Sequence, residues 1–136
     1  MRKVYLIILM FLVISCYDSV TNYYATRDKA EAGKLFERGW LPSIIPLSAM
    51  DITTTNDLDI NISEGEFKFD LKDTNEFINN LMIYSNQKLP GSSWQSKLLV
   101  LIKNGYEVFE FTNSQSVWIF IVNKKTGHVR YMMWLK

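Results

Sequence analysis

Few residues in this chain can carry strong chemistry. One cysteine, Cys16, and one histidine, His128, occur in 136 residues. A thiol can serve as nucleophile, metal ligand or acylation site, and an imidazole as general base or metal ligand. One of each cannot assemble a His₃ or Cys/His zinc centre. Among the acids, Asp57-x-Asp59-x-Asn61 imitates the opening of a calcium loop, but Ile62 stands where that loop needs glycine and Lys68 where it needs a bidentate glutamate. The same acids alternate with Leu58, Ile60 and Ile62, which explains them as the wet face of a strand. A glycosidase would need two carboxylates across a cleft, and Asp51, Asp57, Asp59 and Glu64 supply no sign of one. The six glycines are scattered at turns instead of forming a phosphate loop, and no serine sits in a nucleophile-elbow pattern. His128 follows Gly127 at a hairpin connection, where a solvated imidazole is expected. The residues therefore imply no cofactor, no metal and no catalytic group.

Cys16 is the exception. Arg2 and Lys3 precede an uninterrupted apolar run from Val4 to Ile14, the layout of a secretory signal. Eleven residues are too few to span a bilayer as a helix, which takes about 20. The run closes on Leu12-Val13-Ile14-Ser15-Cys16, which resembles a bacterial lipobox, with Val13 where leucine is commonest. That resemblance implies diacylglyceryl transfer to the Cys16 sulfur and cleavage before it, often followed by N-acylation with a palmitate-class chain. It also accounts for an unpaired thiol in an exported protein, which otherwise needs an explanation. The expected divisions are a signal peptide over 1–15, a lipidated tether over 16–27 and a single domain over 28–136. The expected location is the cell membrane, through lipid on Cys16. Tyr17 replaces the aspartate that commonly retains Gram-negative lipoproteins in the inner membrane, so the outer membrane is favoured in such an envelope.

Removing residues 1–15 leaves 121, enough for one core without staples. The formal charge is +1 for the whole chain and −1 without Arg2 and Lys3. That balance argues against nucleic acid as a partner, since phosphate binding calls for a basic stripe.

Asp28 and Glu31 have capping-box spacing and predict a helix over 28–38 that ends at Gly39. Residues 40–52 hold Pro42 and Pro46 and predict an extended apolar connection. The alternation over 57–62 and 66–71 predicts a hairpin about Glu64-Gly65, with Ile62 opposite Phe67 and Leu58 opposite Leu71. Asp73-Thr74-Asn75-Glu76 predicts a helix with Phe77, Leu81 and Met82 on one face. Leu89-Pro90-Gly91 breaks the chain; Trp94, Leu98, Leu101 and Ile102 then suit a helix ending at Asn104-Gly105, although 98–102 would also suit a buried strand. Strands are predicted over 106–112, 117–123 and 129–135, the last two joined by a bulged turn with Gly127 left-handed. Together these predict an α+β fold: an antiparallel sheet of about five strands with two or three helices packed on one face.

One stretch carries a wider likeness. Trp40-Leu41-Pro42-x-x-Ile45-Pro46-x-Ser48-Ala49-x-Asp51-Ile52, then Asp57-Leu58-Asp59-x-Asn61 and Glu66-Phe67-x-Phe69, resembles a motif of small uncharacterised bacterial proteins, many exported or lipid-anchored. Met50 stands where threonine is common, and Trp118 and the C-terminal hairpin extend the likeness loosely. It implies no activity, but treats Trp40, Pro42, Pro46, Ser48, Asp51, Asp57, Asp59 and Asn61 as one unit. Either Pro and Trp lock a loop whose backbone Ser48 and Asp51 cap, or the unit is a ligand or partner surface. The expected function is a non-catalytic binding module at the cell envelope, recognising a protein or wall component. The alternatives are an immunity or accessory protein stationed against a toxin, and an envelope hydrolase in which Asp51, Asp57 and Asp59 converge.

Overall fold

The computed structural model describes residues 18–85, 89 and 92–136; the signal, Cys16 and the Pro90-Gly91 break lie outside the described residues. Seven strands form one antiparallel sheet: β1 (Ser19–Thr26), β2 (Met50–Asp57), β3 (Ile62–Lys68), β4 (Met82–Ile83), β5 (Glu107–Thr112), β6 (Ser116–Asn123) and β7 (His128–Leu135). Their spatial order is β1-β2-β3-β7-β6-β5-β4. The helices are short: α1 (Arg27–Ala32), α2 (Thr74–Asn79) and α3 (Ser92–Lys103).

The expected α+β arrangement is thereby corrected to a mostly-β one. There are seven strands instead of five, and the helices do not share a face. The reason lies in β6, whose run Val117–Val122 is apolar at every position and must be covered on both sides. Trp118, Phe120 and Val122 pack with Ala30 of α1 and Phe77 of α2. Val117, Ile119 and Ile121 pack with Leu98 of α3.

Two strands have no counterpart in the predicted elements: β1, and β4, which takes Met82 out of the predicted helix because α2 ends at Asn79. The segment expected as a tether carries β1, an edge strand paired to β2 from Ser19↔Asp57 to Thr26↔Met50. Its exposed, mixed side chains show no period because only one edge of its backbone is paired. The N-terminal hairpin is also re-registered. Asp57 pairs with Ile62, so the turn falls at 58–61, and Gly65 lies inside β3 opposite Thr54. Asp57 Oδ1 accepts the amides of Asp59 at 3.0 Å and Ile60 at 3.3 Å, and Asn61 closes the turn at φ 52°. Leu58 and Ile60 therefore sit on an exposed turn, not on the core face.

Helix ends follow local chemistry more closely. Thr26, not Asp28, caps α1 by accepting the Lys29 amide. The helix stops at Ala32 because Lys34 turns left-handed (φ 63°) while Leu35 N donates back to Ala30 O. Gly39 is left-handed as expected, at the end of a further run of turns. α3 forms over the predicted residues and ends at a left-handed Gly105, with Trp94, Leu98 and Leu101 turned to the sheet and Ile102 exposed. Strands β5 to β7 form as read, and Gly127 is left-handed at φ 69°.

Within the core, Ser63 donates to Asn56 at 2.6 Å and meets the Tyr131 hydroxyl at 3.1 Å. Burial holds the Tyr131 phenol well above its usual pKa. Beside them Thr54 Oγ1 is buried with no partner among the described residues. An unpaired buried hydroxyl costs roughly 1–3 kcal/mol, so Thr54→Val is expected to stabilise the protein by about 1 kcal/mol, raising its urea midpoint.

Candidate functional site

The motif residues divide among three places. Trp40, Pro42, Pro46 and Ser48 belong to a loop on the α1/α2 face. The Trp40 carbonyl accepts the Trp118 indole N–H at 3.0 Å, Pro42 is buried, and the Pro46 carbonyl accepts the Ala49 amide at 3.0 Å. Ser48 Oγ donates to the Asp73 carboxylate and accepts the Asp70 amide at 3.1 Å. Asp73 is the cap residue of α2, yet its side chain makes no cap bond and serves this tertiary link instead. The Lys72 amide, donating to the Asp70 carboxylate, lowers the pKa of that carboxyl. Arg27, which carried no sequence signal, clamps the loop: Nε donates to the Ile45 carbonyl at 3.1 Å while the guanidinium lies over Phe36 at 4.5 Å. A cleft of about 310 Å³ opens between this loop and α2, with Pro46, Leu47, Glu76 and Asn80 in its walls. Asp57, Asp59 and Asn61 form the β2–β3 turn at one end of the sheet.

Asp51 stands apart from both groups. It lies at a break in the β2–β3 register, held at φ 50°, a region costly for a non-glycine residue. Its carboxylate accepts the Tyr23 hydroxyl at 2.9 Å and pairs with Lys68 at 3.5 Å. The bond to Asp51 raises the Tyr23 phenol pKa. On the same face, Glu66 reaches Arg130 at 3.4 Å and His128 Nε2 at 3.5 Å, and His128 Nδ1 meets the Tyr106 hydroxyl at 2.9 Å. His128 is therefore packed into a network, not solvated at a hairpin tip. Six strand residues from β1, β2, β3 and β7 thus form two polar clusters, Tyr23–Asp51–Lys68 and Glu66–His128–Arg130, side by side on one face.

These clusters floor a groove. α3 covers the β5–β7 half of its face and leaves the β1–β3 half open, with Trp94, Lys97 and Leu101 as one wall. Two adjoining hollows of about 200 and 260 Å³ share Thr53 and Glu66. Asp51, Glu64 and Glu66 balance Lys68, Lys97 and Arg130, and Lys97 lies over the Trp94 ring at 5.4 Å.

Residues 18–68 are similar to the YbbD head domain. That family model spans β1 to β3, less than half of the chain, and includes the loop and the β2–β3 turn. α2, α3 and β4 to β7 lie outside it. No curated protein and no solved structure matches the chain.

What the groove can do follows from its geometry. Its alternating charges and single large ring suit a polar ligand carrying both signs. Both His128 nitrogens face partners, Nδ1 the Tyr106 hydroxyl and Nε2 the Glu66 carboxylate. Asp51 and Asp57 lie near opposite ends of β2, about 20 Å apart at strand rise, so the three acids of the hydrolase reading do not converge. Among the described residues no group of three or more His, Cys, Asp or Glu is gathered for a metal.

His128 gives the groove a pH signature. Burial lowers its pKa, Glu66 opposes that, and Arg130 and Lys68 reinforce it, with burial winning. The unfolded chain then takes up the proton first, near pH 6.5, and the folded state only below that. Stability is full above pH 6.5 and falls as pH drops through the folded value. Urea midpoints at pH 7.5 and 5 should fall further for wild type than for His128→Gln, which lacks the titrating ring.

Proposed function

We propose that this is a lipoprotein held in the cell envelope by acylated Cys16, and that its domain works by binding a protein or wall component in the groove between α3 and β1–β3. The observation that supports it best is polarity along the sheet. Ser19, where the described chain begins its first strand, pairs with Asp57 at one end, whereas Lys68 and His128 pair at the other. Strands of seven or eight residues separate those ends by about 25 Å. An anchor at Cys16 would hold one end at the bilayer and present the groove away from it. No helix among the described residues is long and apolar enough to cross a membrane.

The test has two arms. Intact mass should show acylation on wild type. The domain from Tyr17 onward, exported behind a cleavable signal without the cysteine, should move almost entirely from the membrane to the soluble fraction, since durable attachment needs two or more acyl chains. Cross-linking at intact envelopes should then capture a partner that Arg130→Glu and Lys68→Glu both lose. An unacylated wild type, or membrane retention of the cysteine-free domain, overturns the anchor, and capture indifferent to both charge reversals overturns the groove.

A further inference from the structure

We infer that the β2–β3 turn is a second membrane contact, with Leu58 and Ile60 seated among zwitterionic lipid headgroups beside the anchor. The inference rests on the acylation of Cys16 proposed above. Its starting point is a hydrogen bond: Leu58 N donates to Asp18 O at 3.3 Å, tying the turn to the place where the chain leaves for Cys16. From Asp18 to Cys16 is two residues, a reach of no more than about 7 Å. A lipid on Cys16 therefore cannot hold this turn away from the bilayer surface.

The turn is built for such a surface. Leu58 is 51% exposed and Ile60 60%, although both are aliphatic and the residues between and after them, Asp59 and Asn61, are polar. The same end of the sheet adds Leu135, 46% exposed, because Ile62 pairs with Trp134 and the last residue of β7 projects past it. Three apolar side chains thus share the one end of the sheet that the anchor must approach. Their exposure has no use in the core, which is closed by Phe67 and Phe69 further along. The turn's backbone is also satisfied internally, through Asp57 Oδ1, so it can enter an interface without freeing the Asp59 and Ile60 amides.

Charge selects the lipid. Asp18, Asp57 and Asp59 surround the apolar pair, and Lys136, at the same end, turns its Nζ to the Asn113 carbonyl. An anionic surface would repel such a rim, whereas a zwitterionic one would not. The occupant that fits is a phosphatidylcholine or phosphatidylethanolamine interface, reached at high effective concentration because the anchor is covalent.

The experiment uses full-length acylated protein in phosphatidylcholine vesicles. Acylation consumes the native thiol, so Ile60→Cys introduces the one site for a nitroxide label; Leu58→Cys repeats the measurement at the neighbouring side chain. Lys125→Cys, in the turn at the far end of the sheet, is the aqueous comparison. Power saturation should show oxygen access exceeding nickel-chelate access severalfold at 58 and 60, placing both labels about 5–10 Å into the headgroup and acyl boundary. The reverse should hold at 125. Adding phosphatidylserine should move the labels back towards water. Labels at 58 and 60 as accessible to nickel as that at 125 overturn the inference, as does shielding from both reagents, which would mean a protein partner or second copy on the turn. An unacylated Cys16 in the intact mass removes the anchor reading together with this one, whereas acylation with aqueous labels removes this one alone.

Discussion

Gly65→Ala is expected to cost at least about 3–4 kcal/mol, a large share of the 5–15 kcal/mol that holds a domain of this size. Gly65 lies within β3 between Thr54 of β2 and Tyr131 of β7. A Cβ there would stand 2.0 Å from the Thr53 carbonyl oxygen and 2.9 Å from Tyr131 Cε1. The first obstacle is backbone, which cannot rotate aside as a side chain does. Relief would require β2 to lift off β3 by about 1 Å or more, in the centre of a hydrogen-bonded ladder where strands sit about 4.8 Å apart. The close approach follows from the irregular register between Met50 and Thr53, the feature that also forces Asp51 left-handed. Gly105→Ala supplies the contrast: its Cβ meets nothing within 4 Å, and its cost is the roughly 1 kcal/mol of a left-handed residue at a helix end. Urea unfolding of the two variants separates the causes. A loss below about 1 kcal/mol for Gly65→Ala would mean the strands are not held at this distance.

That position also shows where sequence reasoning succeeds and where it fails here. Residues 107–135 were legible because runs of Val, Ile and Phe are punctuated by Asn123 and Gly127, and neither signal competes with another nearby. The alternation over 57–62 and 66–71 places the turn at Glu64-Gly65, whereas the chain turns at 58–61. Alternation identifies a strand but not its register, and a shift reassigns every neighbour. Leu58 and Ile60 favoured the wrong turn because they look like core residues. What decided otherwise is the Asp57 side chain bonding its own turn, together with Thr53 to Asn56 completing a polar strand. β1 was hidden for a different reason, since an edge strand gains its stability from one ladder and needs no apolar face. The groove was hidden because its members, from Tyr23 to Arg130, meet only across four strands. The polar positions Glu64, Glu66, Lys68, His128 and Arg130 do alternate, which marks a wet face without saying that a helix walls it.

Phe120→Ala is expected to cost about 3–5 kcal/mol, and its effect should reach the loop that carries Trp40 to Ser48. Phe120 is fully buried, with ring centroids of Phe77 at 5.5 Å, Tyr131 at 6.3 Å and Phe67 at 6.4 Å. The contacts to Phe77 and Phe67 are edge-to-face, an arrangement adding roughly 0.5–1.5 kcal/mol beyond burial. Phe67, Phe120 and Tyr131 rise from three adjacent strands whose ladders fix their spacing, so the cavity cannot close from below. The wall able to move is α2, whose six residues are far too few to be stable alone and whose buried residue is Phe77. As α2 shifts, Asp73 leaves Ser48, and the loop loses a side-chain tie to that helix. Phe120→Leu should recover most of the stability by keeping the volume apolar and filled. Hydrogen exchange gives the decisive reading: in Phe120→Ala the amides of α2 and of residues 45–49 should lose protection while those of α3, on the opposite face, keep theirs. Uniform loss over both faces would mean that the two clusters beneath and above β6 unfold as one unit.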